Sequence, residues 1–137
     1  MTTDTAATDE LSAGNVMLRR FVSAAPEDTL GELAEKLADA DAGSALVVEH
    51  GRLIGILTSR DIVHAVAERV HPSDVHVRER MSPAPVKASP GMPIEEAAHL
   101  MLEGGFHHLP VVDEDGRPIG VVGLRAVAGL RHRFPGW

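Results

Sequence analysis

The sequence holds no cysteine and no tyrosine, and aromatic residues make up only 3% of its 137 positions. The first absence excludes disulfide bonds, thiol catalysis and cysteine metal sites. The scarcity of aromatics leaves Val, Leu, Ile, Ala and Met to build the core. Long apolar runs are also missing, so no segment is long enough to span a bilayer. A basic surface is lacking: 13 Lys and Arg stand against 20 Asp and Glu, a formal net charge of −7. Nucleic-acid phosphates need cations, so nucleic acid is not expected as a partner. A small anionic ligand in a local cleft is not excluded. The opening MTTDTAATDELSAG lacks the basic start and apolar stretch of a signal peptide, and a cytoplasmic protein is expected. Also absent are a Walker loop, Gly-x-Gly-x-x-Gly, a Ser-His-Asp context and metal-ligand spacing. Neither catalysis nor a bound metal is expected.

What is present is repetition. At an offset of 64, Met17 matches Met81, Val22 matches Val86, Ala24 matches Ala88 and Pro26 matches Pro90. Glu32, Ala34, Val47 and Val48 likewise match Glu96, Ala98, Val111 and Val112. One inserted residue then shifts the offset to 65, at which Gly51, Arg52, Ile54, Gly55 and Arg60 match Gly116, Arg117, Ile119, Gly120 and Arg125. Two copies of one unit read as a duplicated domain.

Each copy starts with a short extended stretch ending at proline, Val22 to Pro26 or Val86 to Pro90. A helix follows. Thr29 and Glu32 form a plausible capping box, and Leu30, Leu33, Ala34, Leu37 and Ala38 share one face. The second copy repeats that face with Ile94, Ala97, Ala98, Met101 and Leu102, with Pro93 near the first helical position. A buried strand comes next, Ala45 to Val48 or Leu109 to Val112. A Gly/Asp turn leads to the second strand of a hairpin, Leu53 to Leu57 or Pro118 to Val122. A final helix spans Ser59 to about Arg69, or Leu124 to about His132.

The expected fold is therefore α/β (α+β), with two pseudo-symmetric β-α-β-β-α repeats packed through their sheets. One three-stranded sheet with two helices leaves an apolar face uncovered, which pairing would bury while creating two clefts. The expected division is a disordered tail over 1–14, repeats over 15–70 and 80–132, a linker over 71–79 and a C-terminal tail over 133–137.

The segments SALVVEHGRLIGILTSRDI (Ser44 to Ile62), MSPAPVKASPGMPIEEAAHLM (Met81 to Met101) and HHLPVVDEDGRPIGVVGLRAV (His107 to Val127) resemble the CBS domain, here as the tandem pair called a Bateman module. The likeness runs from about residue 15 to 131. It implies a sensor of adenosine-containing ligands, with AMP, ADP or ATP first and S-adenosylmethionine or NAD as further options. No resident cofactor is required. In such modules the pattern Gly-hydrophobic-x-Thr/Ser-x-x-Asp touches ribose and phosphate. It maps to Gly55, Ile56, Thr58 and Asp61, and in the second copy to Gly120, Val121, Gly123 and Ala126, where both polar members are gone. The resemblance also places Ala45, His108 and Pro110 beside the ligand, and implies homodimers.

Elementary chemistry fits that mapping. Thr58 stands where a strand gives way to a helix, whose first turn carries free N–H groups and partial positive charge. Arg60 can reach phosphate, and Asp61 can accept from both hydroxyls of a ribose. Thr58-Ser59-Arg60-Asp61 equally reads as a helix cap that needs no ligand. His107 and His108 are adjacent on a strand and so face opposite ways, a poor chelating pair. The expected function is a stand-alone regulatory module that binds an adenosine ligand in the cleft between repeats and acts in trans on an unknown protein partner. The alternative is a ligand-free structural dimerisation or adaptor module with degenerate clefts. Phe134 and Trp137 are candidate dimer contacts.

Overall fold

The computed structural model describes residues 11–131, and the Phe134–Trp137 tail lies outside them. The first repeat carries strand β1 (Val22–Ala24), helix α2 (Leu30–Ala40), the hairpin β2 (Ser44–Glu49) and β3 (Arg52–Thr58), and helix α3 (Ser59–Ala67). A short helix α1 (Ala13–Val16) precedes it. A single 3-10 turn (Pro72–Asp74), a short helix α4 (Val77–Arg80) and strand β4 (Ser82–Pro83) follow it. The second repeat carries α5 (Ile94–Gly104), the hairpin β5 (His108–Val112) and β6 (Pro118–Gly123), and α6 (Leu124–Arg131).

Local chemistry explains most of these elements. Thr29 caps α2 by accepting from the Glu32 N–H, while the Glu32 carboxylate accepts from the Thr29 N–H at 3.0 Å. The two residues thus satisfy one another's terminal groups, as the sequence predicts. The helix stops at Asp41, which takes the left-handed conformation at φ 50. Gly105 does the same for α5 at φ 71, without strain because it has no Cβ. Leu30, Leu33 and Leu37 point inward from α2; Ile94, Ala97 and Met101 do so from α5. Full burial stabilises by roughly 1.5–3 kcal/mol for each large aliphatic side chain. Ala38 and Leu102 break the expected pattern. Both are exposed, Leu102 at 61%. Each sits one residue past the innermost position, which turns it about 100° around the helix.

The chain forms two compact units that do not coincide with the repeats. One gathers the described residues up to Arg19 with Val86–Asp115 and those from Ile119 to 131. The other gathers Arg20–Pro85 with Gly116–Pro118. In the latter, β1 pairs parallel to β2, β2 antiparallel to β3, and β3 antiparallel to β4. The stretch that follows the first repeat therefore completes that repeat's sheet. Its Val75 and Val77 join the core of Leu30, Leu33 and Leu37, so this part of the expected linker is structural. Leu30 N–H donates to the Val75 carbonyl at 2.9 Å.

The other unit mirrors this arrangement. β5 pairs with β6, Ala88 bridges in parallel to Val111, and Leu18 bridges antiparallel to Val121. Ala13 and Gly14, placed in the tail by the sequence, belong to this unit. Ala13 is fully buried, and the Ala13 and Gly14 N–H groups donate to the carbonyls of Met92 and Pro90. A glycine receives the incoming methionine each time. A Cβ at Gly55 would lie 2.5 Å from Met81 Sδ, and one at Gly120 would lie 2.5 Å from Met17 Sδ. The paired matches Met17/Met81 and Gly55/Gly120 thus have a packing cause.

Candidate functional site

β3 ends at Thr58 and α3 begins at Ser59, so the Thr58-to-Asp61 stretch sits at a strand-to-helix junction. Thr58 is extended, at φ −110 and ψ 164, which turns its side chain back over the helix's first turn. Its N–H donates to Asp61 Oδ2 at 2.8 Å, and its hydroxyl donates to the same oxygen at 3.1 Å. The Asp61 N–H in turn donates to the Thr58 hydroxyl oxygen at 3.4 Å. The two residues form a closed capping box in which the carboxylate is fixed through Oδ2. Oδ1 takes part in none of these bonds. A negative charge in this first turn is further favoured by the helix dipole.

The Ser59 N–H donates to the Gly43 carbonyl at 3.0 Å. Two of the first-turn N–H groups that an anion would use are therefore already engaged within the chain. Ser59 and Arg60 have exposed side chains, while Thr58 and Asp61 are half-buried.

The second repeat has the same junction without its polar pair. The Leu124 N–H donates to the His107 carbonyl at 2.9 Å, matching the Ser59–Gly43 bond residue for residue. Gly123 replaces the Thr and Ala126 the Asp. A Cβ added at Gly123 would meet nothing within 4 Å. The strand-to-helix turn thus forms whether or not the box is present.

The remaining expected positions separate by sheet face. Ala45 is 1% exposed and belongs to the core cluster with Leu30, Leu33 and Leu57. Its side chain is turned into the core of its unit, so only its backbone could border a ligand. β5 places Leu109 and Val111 in the core cluster of its own unit. By strand alternation His108 and Pro110 point to the opposite face. Pro110 is buried and its carbonyl accepts from the Ala88 N–H at 2.8 Å. His108 is half-buried. Burial lowers its pKa below the usual histidine value, and the neighbouring His107 adds to that lowering. His107 itself precedes the strand and is exposed. Among the described residues no group of three or more His, Asp or Glu could hold a metal ion. No helix among them is long and apolar enough to cross a membrane.

The model of the CBS domain matches residues 13–68 and again 74–132. The chain belongs to the CBS domain family. It carries the domain as a tandem pair, of mixed α/β fold. An uncharacterized protein of Methanopyrus kandleri is 34% identical over 119 residues, covering 85% of this chain and 61% of that protein. A CBS domain protein from Pyrobaculum aerophilum, solved in complex with AMP, superposes with a TM-score of 0.79 at 25% identity, over 84% of this chain and 88% of that one. The cytosolic domain of the Mg2+ channel MgtE, solved in complex with ATP, gives a TM-score of 0.77 at 34% identity, over 91% of this chain and 50% of that one. This chain spans less than two thirds of the Methanopyrus protein and half of the MgtE domain.

Proposed function

We propose that this CBS pair is a regulatory, non-catalytic module that binds an adenosine-containing ligand through the first repeat's Thr58–Asp61 motif. The observation that carries the reading is the unequal junction. The second repeat closes the same turn with Gly123 and Ala126, so the fold does not require the polar pair that the first repeat keeps. Thr58 fixes the Asp61 carboxylate through Oδ2, and Oδ1 remains as the acceptor for a ribose diol. Two structural relatives are bound to AMP and to ATP, which supports an adenine nucleotide as the ligand class. Output passes in trans, to a partner protein or through self-association into a homodimer. A ligand shifts such an equilibrium only by its differential affinity for the two states.

A structural adaptor without a ligand is the second reading. It is favoured by the capping box itself, in which Thr58 and Asp61 already satisfy each other. Calorimetric titration with AMP, ADP, ATP, S-adenosylmethionine and NAD separates the two. Hydrogen bonds to charged groups are worth roughly 1.5–3 kcal/mol, so Asp61→Ala should weaken a genuine site by about ten- to a hundredfold. Saturable binding near one ligand per chain that the substitution weakens at least tenfold supports the sensor. A folded protein that binds none of the five leaves the adaptor as the function.

A further inference from the structure

With no cysteine in the chain, sulfur redox chemistry falls to methionine. Among the described residues methionine stands at positions 17, 81, 92 and 101. Met101 is fully buried, whereas Met17, Met81 and Met92 are half-buried and open in part to a small oxidant. Met17 and Met81 share one local architecture. Each closes a four-residue helix, α1 or α4, with the same extended backbone: φ −64 and ψ 148 for Met17, φ −66 and ψ 153 for Met81. Each N–H donates at 2.9 Å to the carbonyl of a fully buried residue, Ala13 or Val77. Each side chain fills the space that a Cβ would take on Gly120 or Gly55. Each is followed by residues that pair with a sheet edge: Leu18 with Val121, and Ser82 and Pro83 with Ile56 and Gly55. The edge pairing is short. The Leu18 and Val121 N–H groups donate to each other's carbonyls at 2.9 and 3.0 Å, and the Ala84 N–H donates to the Ile54 carbonyl at 3.2 Å. Leu18, Ser82 and Pro83 are themselves exposed, so the apolar hold beside each pairing is the methionine.

We propose that Met17 and Met81 are oxidation-sensitive latches: conversion of the thioether to the sulfoxide by a hydroperoxide releases the residues that follow from the sheet edge. The sulfur lone pair attacks one peroxide oxygen, and the S–O bond forms as the O–O bond breaks. The displaced hydroxide takes the proton from the sulfur-bound oxygen and leaves as water. Sulfur is oxidised and the peroxide reduced, by one electron pair. The product is polar and chiral where the thioether was flexible and apolar. What stands beside each socket is an acceptor. The Ser82 carbonyl oxygen lies 3.1 Å from the Cβ position of Gly55, and the Leu18 carbonyl oxygen 3.0 Å from that of Gly120. Two acceptors repel, and a buried oxygen without a donor is costly. The oxidised side chain therefore leaves its socket, and the short pairing beside it opens. β3 runs on from Gly55 to Thr58, so the strand loosened at Met81 is the one that ends at the candidate site. The release itself needs no ligand and stands apart from the adenosine reading.

The test treats the full chain with hydrogen peroxide, maps the sulfoxides by mass spectrometry of its peptides and follows amide hydrogen exchange by NMR. Met17 and Met81 should convert at least tenfold faster than the buried Met101. The Leu18, Val121 and Ala84 amides should then exchange at least tenfold faster, while the Leu33 and Leu37 amides of α2 stay protected. The two methionine sulfoxide reductases, one for each epimer, should restore the protection. Met17→Leu with Met81→Leu fills both sockets with an apolar side chain of similar volume that peroxide does not oxidise. In that variant peroxide should leave the same amides protected, which also sets Met92 aside as the cause. Oxidation of Met101 at the same rate as Met17 and Met81 would mean that only global opening exposes the sulfurs, and would overturn the proposal. Unchanged exchange in the oxidised wild type, or an equal loss of protection in the leucine variant, would overturn it as well.

Discussion

Gly55→Ala tests the packing of the incoming methionine against each repeat. The added Cβ would lie 2.5 Å from Met81 Sδ, 3.0 Å from Met81 Cγ and 3.1 Å from the Ser82 carbonyl oxygen. Carbon atoms pack best about 3.5–4.0 Å apart, so the methyl overlaps its neighbours by roughly half an ångström to one ångström. The thioether can swing away. The Ser82 carbonyl cannot, because it belongs to β4, which is paired to β3 at Gly55↔Pro83 and Ile56↔Ser82. Overpacking of this kind costs about 1–3 kcal/mol, with a Tm lower by roughly 3–10 °C for a chain of this size. Urea unfolding of the wild type, Gly55→Ala, Met81→Ala and the double variant measures the coupling. Met81→Ala removes the two nearest atoms, so the double variant should lose less than the sum of the single losses by about 1 kcal/mol or more. Gly55→Ala combined with Met17→Ala should instead be additive, because Met17 faces Gly120. Additivity with Met81→Ala, or coupling to Met17 in its place, would refute the assignment of these segments to their units.

Three further outcomes follow from the junctions and the half-buried histidine. Asp61→Ala opens the Thr58 capping box and should cost about 0.5–2 kcal/mol in urea unfolding even without ligand; no loss would mean that the box contributes nothing to the fold. Gly123→Thr with Ala126→Asp installs the same box in the second repeat, where space is open. A gain of about 0.5–1.5 kcal/mol is expected in thermal melts, and a loss would show that the two junctions differ more than their backbone bonds indicate. His108 has a pKa lowered by burial, so its unfolded form binds a proton more readily than its folded form. Stability should be greatest above the ordinary value of 6.5, and should fall as pH drops through 6.5 toward the lowered folded value. His108→Gln should flatten that slope in melts across pH 5–8, and an unaltered slope would assign the effect to another group.

Much of this architecture is written locally. The capping pairs Thr29–Glu32 and Thr58–Asp61 lie three residues apart and close their bonds within one turn, so sequence spacing alone announces them. The hairpins follow from apolar runs flanking Gly51 and Gly116, both of which adopt positive φ. The leucine faces of α2 and the family likeness come from the same short-range patterns. Leu102 is exposed although it falls on the apolar face, because a helical stripe has no sharp edge in sequence: a residue 100° from the centre is buried or bare depending on what lies over it.

What the sequence determined by itself is the repeat, the order of elements and the inequality of the two Thr/Asp positions, since these are properties of residue type and spacing. What only the tertiary structure decided is which repeat each flanking segment completes. Met81 follows the first repeat in the chain and Met17 precedes it, yet they settle on Gly55 and Gly120 in different units. Strand completion is a long-range hydrogen-bonding choice, made between segments that share Met17/Met81 and Val22/Val86 and differ in between. The tertiary structure also decided that Ala45 turns into the core while His108 and Pro110 face away from it, because the faces of a strand are assigned by what packs on them.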